Sequence, residues 1–159
     1  RGHTQHLPLT IDGAVVERVS STKFLGVHIS EDLSWTTNTA SLAKKVPRRL
    51  YFLRKLRRAS APPAIVTTFY RGTIESILSS CITVWGGSCT EYNRKALKRI
   101  VNTAGRIIGA LLPSLKDIYT THLTHKATKI VSDASHPAHN LFDLLPSGKR
   151  SKPLASASK

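Results

Sequence analysis

Two histidine pairs, His122-x-x-His125 and His136-x-x-His139, and one adjacent acidic pair, Glu31-Asp32, are the side chains whose types and spacing could do chemistry. Positions three apart share a helix face, so His122 and His125 could hold one zinc ion. Neither pair has a cysteine beside it, and the basic neighbourhood opposes a dication, so no metal site is expected. Two-metal chemistry needs carboxylates that converge on ions ~4 Å apart, usually from separate strands. Glu31 and Asp32 are adjacent in a turn-forming context and are expected to be turn or helix-capping residues. There is no Walker A motif and no dinucleotide fingerprint. Pro146-Ser-Gly-Lys-Arg150 lacks the leading glycine and the following helix of a phosphate loop. No Ser/His/Asp or Cys/His order stands out, so no catalytic residue and no cofactor is assigned to this chain.

Binding is better represented than catalysis. Lys44, Lys45, Arg48, Arg49, Arg54, Lys55, Arg57 and Arg58 follow one another in a stretch where no acid occurs between Asp32 and Glu75. Ordinary solvated helix faces mix signs and gain i,i+4 pairs, which this run cannot do. Such a face neutralises phosphates and gives sequence-independent, salt-sensitive affinity. The whole chain agrees, with 24 Lys+Arg against 9 Asp+Glu and a net charge of +15. A polyanion is the implied partner, and nucleic acid is preferred to an anionic membrane surface. Tyr51 and Phe52 lie within the run and could stack on bases; Phe52 is assigned to the core.

These cations need a helix to carry them. Leu42, Val46, Leu50 and Leu53 recur at spacings of three and four, which predicts a helix from about residue 39 to 59. Lys44, Arg48, Lys55 and Arg58 fall on its opposite face, with Lys45 and Arg54 flanking. Pro47 is expected to kink that helix or to mark its start, because an interior proline costs ~3 kcal/mol. Upstream, Leu9 to Val19 alternates around Asp12-Gly13, a hairpin signal. Phe24 to Ile29 is expected to be a third strand of one small sheet, with Gly26 letting another backbone pass close by. Downstream, Ser60-Ala-Pro-Pro63 opens a helix that Gly86-Gly87 ends. Thr90 caps a further helix stopped by Gly109 and Pro113, and Ser114 with Asp117 forms a capping box for another. Of the two cysteines, Cys81 is expected in the core and Cys89 in a loop; two thiols do not make a disulfide framework, and an intracellular location follows, the nucleus included. No stretch approaches ~18 apolar residues, so no spanning helix is expected. There is no signal-peptide h-region. A sequence without methionine, position 1 included, is expected to be part of something longer.

The fold class expected is α+β, a small antiparallel hairpin region followed by a helical bundle. Its expected parts are a β region at 1–35, a bundle at 36–112, a further helical segment at 113–145 and a linker or frayed tail at 146–159.

Leu9-Thr-Ile-Asp-Gly13, Lys23-Phe-Leu-Gly-Val-His-Ile29 with Leu33-Ser-Trp35, Arg49 to Arg57, Phe69 to Ile77, Cys81 to Gly86 and His136 to Arg150 together resemble the end of the palm and the following thumb in LINE-type (non-LTR) retrotransposon reverse transcriptases. The resemblance implies a fragment of an RNA-directed DNA polymerase. Phe24, Leu25 and Gly26 would be its primer grip, and the helices its thumb. Its partners would be an RNA/DNA template–primer duplex and the missing fingers and palm of the same polyprotein. The family's catalytic aspartates and the Mg²⁺ they need would belong to a part that is absent here. A stand-alone basic nucleic-acid-binding module and a non-functional retroelement relic are the other readings. In addition, residues 41 to 85 are similar to a helical extension found beside tRNA-modifying AlkB-type dioxygenases. No His-x-Asp pair occurs in this chain, so that iron chemistry is not carried over.

Overall fold

Asp12 and Gly13 both adopt positive φ, 49° and 80°, and turn the chain between strands β1 (Thr10–Ile11) and β2 (Ala14–Val15). This is the two-residue turn an Asp-Gly pair favours, seen here in a computed structural model that describes residues 8–144 and 151–153. A second hairpin follows, β3 (Ser21–Phe24) and β4 (Val27–Ser30), with Phe24 opposite Val27. The two hairpins are separate two-stranded units rather than one sheet.

The second hairpin corrects the strand expected over 24–29. Leu25 and Gly26 are its turn, at φ 47° and 85°. A Cβ built on Gly26 would meet nothing within 4 Å. The glycine is there for its conformation and not for a close backbone approach. The hairpin docks by β4, where Val27 is buried and Ile29 packs against the core. Asp32 then organises the turn that leads onward: its Oδ1 accepts from the Ser30 hydroxyl (2.6 Å) and the Ser34 N–H (2.9 Å). Those bonds, the Ser30 hydroxyl first, hold its carboxyl below the usual value of 3.8. Glu31 pairs with Arg18. Both acids are turn residues, as their spacing indicates.

Helix α1 (Thr36–Arg58) runs unbroken through Pro47. The proline is exposed and costs ~3 kcal/mol. Burying Leu42, Val46, Leu50 and Leu53 on the other face contributes ~1.5–3 kcal/mol each, which outweighs it. After the turn at 59–62, Pro63 opens α2 (Pro63–Tyr70) at a position where its missing N–H does no harm. A π-helical turn (Arg71–Glu75) and a short α3 (Ser76–Leu78) continue it, keeping Tyr70, Ile74 and Leu78 fully buried. The helix expected to reach Gly86 is instead interrupted at Cys81, which is exposed and left-handed (φ 51°), before α4 (Ile82–Trp85). Cys81 is therefore not the expected core residue; Cys89 lies in a loop, as expected, with its thiol buried.

Helix α5 (Glu91–Ile108) starts at Thr90, whose hydroxyl accepts from the Asn93 N–H (3.3 Å), and stops at left-handed Gly109. Helices α1 and α5 pack side by side and run in the same direction. Asn93 Nδ2, early in α5, donates to Thr36 Oγ1 at the start of α1 (3.4 Å). At the far ends, a Cβ on Gly109 would lie 4.0 Å from the Arg57 guanidinium. Helix α2 packs against both and the π turn against α1; farther along, buried Trp85 donates from Nε1 to the Ser80 carbonyl within its own segment (2.8 Å). Helix α6 (Leu115–Ser132) begins with the expected box: Ser114 Oγ accepts from the Asp117 N–H, and Asp117 Oδ2 accepts from the Ser114 N–H. No residue of α6 is buried. It lies against Gly86 and Gly87, where an added Cβ would stand 2.9 and 2.8 Å from the Tyr119 ring and hydroxyl. Beyond it, β5 (Phe142–Leu144) pairs antiparallel with β6 (Ser151–Pro153). Of the expected tail, residues 146–150 and 154–159 lie outside the described residues. The architecture is α+β, hairpins followed by a helical bundle.

Candidate nucleic-acid interface

The α1 backbone divides its side chains into two faces. One is the buried row Leu42, Val46, Leu50 and Leu53. The other carries Lys44, Lys45, Arg48, Arg54, Lys55 and Arg58, all exposed. The remaining two cations of the run are placed differently. Arg49 is half-buried and folds back, donating from Nη1 to the Lys45 carbonyl (2.6 Å). Arg57 is exposed but sits on the side of α1 that meets the end of α5. Among the described residues only two ion pairs form, Arg18 with Glu31 and Arg94 with Glu91, so no cation of α1 has an acidic partner there. Leaving like charges side by side on one helix is unfavourable unless a polyanion shares the surface.

Aromatic rings interleave the charges. Tyr51 and Phe52 are 52% and 45% exposed, which corrects the core placement expected for Phe52. Their rings meet edge to face, with centroids 5.6 Å apart and planes at 72°. The Arg48 guanidinium lies 6.0 Å from the Phe52 centroid and the Lys55 ammonium 5.6 Å from that of Tyr51. The outer face of α1 is thus a ladder of cation, ring, ring and cation.

Helix α5 carries a second cationic face that the sequence expectations do not include. Lys95, Lys98, Arg99 and Arg106 stand exposed on α5, away from its buried Leu97, Val101, Ala104 and Ile108. Glu91 and the apolar residues between them hid the cluster; reading the helix at its 3.6-residue period recovers it.

The groups suggestive of catalysis do not converge. His122 and His125 share an open cleft with Thr83, Thr121 and Lys126. His136 Nδ1 accepts from the Ala138 N–H (3.0 Å), and His139 Nδ1 lies 3.1 Å from the Ile130 carbonyl near the end of α6. Among the described residues no three of His, Cys, Asp and Glu come together as a metal site would need. Tyr70, just before the π turn, and Glu75, its last residue, have Tyr70 Oη and Glu75 Oε2 buried and unpartnered among the described residues. Burial, reinforced by the Glu75 charge, pushes the tyrosine hydroxyl up to about 12, so it stays protonated at neutral pH. Burial likewise raises the Cys89 thiol. No helix among the described residues is long and apolar enough to cross a membrane.

The family model for Alkylated DNA repair protein alkB homolog 8, N-terminal, matches residues 35–76. That span runs from buried Trp35 through α1, α2 and the π turn. No curated protein and no solved structure matches the chain. The family match overturns the resemblance to LINE-type reverse transcriptases, since the matched family is not a polymerase. With that resemblance go the primer-grip role of Phe24, Leu25 and Gly26, the template–primer duplex, and the fingers and palm of a polyprotein as partners. The matched residues contain no histidine and a single acid, Glu75, so they do not fit the iron of a dioxygenase.

Proposed function

We propose that this chain is a non-catalytic, basic helical module that binds RNA through the outward face of α1, acting as a helical extension of the kind found beside AlkB-type tRNA-modifying dioxygenases. One observation carries the reading: six exposed cations occupy one face of a 23-residue helix, and none has an acidic partner among the described residues. The family match covers that same helix. Lys44, Lys45, Arg48, Arg54, Lys55 and Arg58 contact phosphates, with Arg57 at the edge; Arg49 braces the helix. From Lys44 to Arg58 the cations extend ~21 Å along the axis, at 1.5 Å per residue. Binding is therefore independent of sequence and dominated by counterion release.

Titration of an RNA oligonucleotide at rising salt tests this. Neutralisation of six phosphates on a single strand gives a log–log slope of about −4. Affinity that ignores salt, or that survives charge reversal at Arg48 and Lys55, is incompatible with the proposal.

A further inference from the structure

We infer that the outer face of α1 takes an unpaired nucleic-acid strand, stacking two of its bases on Tyr51 and Phe52. The inference rests on the proposed RNA-binding function and specifies its ligand. Single exposed hydrophobic residues are ordinary on protein surfaces. Here two adjacent rings are about half exposed, contact each other edge to face, and each has a cation over it. Neither ring is needed by the core, which is filled from the opposite face by Leu42, Val46, Leu50 and Leu53.

Four groups in this order match the chemistry of a nucleotide. Each nucleotide carries an anionic phosphate and a flat base on one sugar, so it can engage a cation and a neighbouring ring together. Arg48 with Phe52, and Lys55 with Tyr51, are two such pairs. Bases within a duplex have both faces covered by their neighbours and can offer only phosphates. Unpaired bases have free faces, and aromatic platforms bind them with little regard to sequence. The 72° between the rings adds a constraint. Two bases stacked on them cannot be parallel, so the strand must splay at this point and cannot keep a continuous helical stack.

The test uses the full chain and fluorescence anisotropy with three ligands of equal length: a ~12-nucleotide oligouridine, an RNA duplex, and an abasic strand with the same phosphates. The expected order is oligouridine tightest, with the abasic strand roughly tenfold weaker despite its identical charge. The double substitution Tyr51→Ala with Phe52→Ala is expected to weaken oligouridine binding by tenfold or more. Duplex affinity should stay within about twofold and the salt slope should not change. The exchange Tyr51→Phe with Phe52→Tyr should restore oligouridine binding. Equal affinity for abasic and base-bearing strands overturns the inference, and the abasic comparison does so without depending on the folding of any variant. Salt-dependent binding of all three ligands alike overturns the stacking while leaving the proposed function standing. Absence of oligonucleotide binding with retention on anionic vesicles overturns both. An oligodeoxyuridine arm separates RNA from DNA as the source of the strand.

Discussion

Helices α1 and α5 lie parallel over one core and both turn cations outward, yet they are different surfaces. Helix α5 spends part of its charge internally: Arg94 pairs with Glu91 (3.8 Å) and donates to the Gly87 carbonyl (3.2 Å). Helix α1 has no acid, and its cations flank exposed rings. The two are also entered differently. Thr90 caps α5 with its hydroxyl, whereas Trp35 precedes α1 without a side-chain cap, and the turn before it depends on Asp32. Under the proposed function, unpaired charge with a second recognition element beside it, rather than net charge alone, makes α1 the binding face.

A core common to α1 and α5 makes the buried residues of either helix costly to truncate. Leu53→Ala in α1 and Leu97→Ala in α5 should each cost ~2–5 kcal/mol in urea denaturation, while Lys44→Ala and Lys95→Ala should each stay within ~0.5 kcal/mol. Next in size is the contrast in binding. Arg48→Glu with Lys55→Glu should weaken RNA binding on the order of 100-fold at low salt. Lys95→Glu with Arg99→Glu should change it by no more than about threefold, through long-range charge alone. Equal losses in anisotropy titrations would erase the distinction between the helices. Thr90→Ala should cost about 1 kcal/mol of stability, with loss of amide protection confined to the first turn of α5. The smallest effect is acid sensitivity. The folded-state pKa of Asp32 is depressed, so its contribution is complete above the ordinary value of 3.8 and is lost as pH falls through the lower folded value. An NMR titration should show the Ser34 amide moving in that range while the Asn93 amide, bonded to the Thr90 hydroxyl, does not follow.

Local chemistry made much of the fold readable. Asp12-Gly13, Pro62-Pro63, Thr90, Gly109 and the Ser114/Asp117 box each act within a few residues, and each stands where its chemistry requires. The misreadings arose where two local rules overlap or where tertiary contacts decide. Gly26 suits a strand as well as a turn, and Leu25 gives no warning of a positive φ. Pro47 argues against a continuous helix until the four buried residues beside it are counted. Cys81 leaves the core because the break there turns its thiol outward, while Cys89 is buried although it lies in a loop. Phe52 looks like core by residue type, but its position on the wheel lies beyond the buried row. The α1 cations were legible because no acid dilutes them; those of α5 needed the helix period to be seen as a face.

The seat of Tyr119 on Gly86 and Gly87 has a consequence for how the molecule opens. Helix α6 buries none of its residues and is seated where two glycines leave room for one ring. The bundle of α1, α2 and α5, by contrast, holds a contiguous apolar interior. The chain therefore has two tiers of cooperativity, an inner unit that unfolds as a whole and a clasp that detaches before it. Hydrogen exchange should see α6 amides turn over by local opening while those of α1 wait for global unfolding, so the helix that carries the unpaired cations belongs to the tier that stays shut.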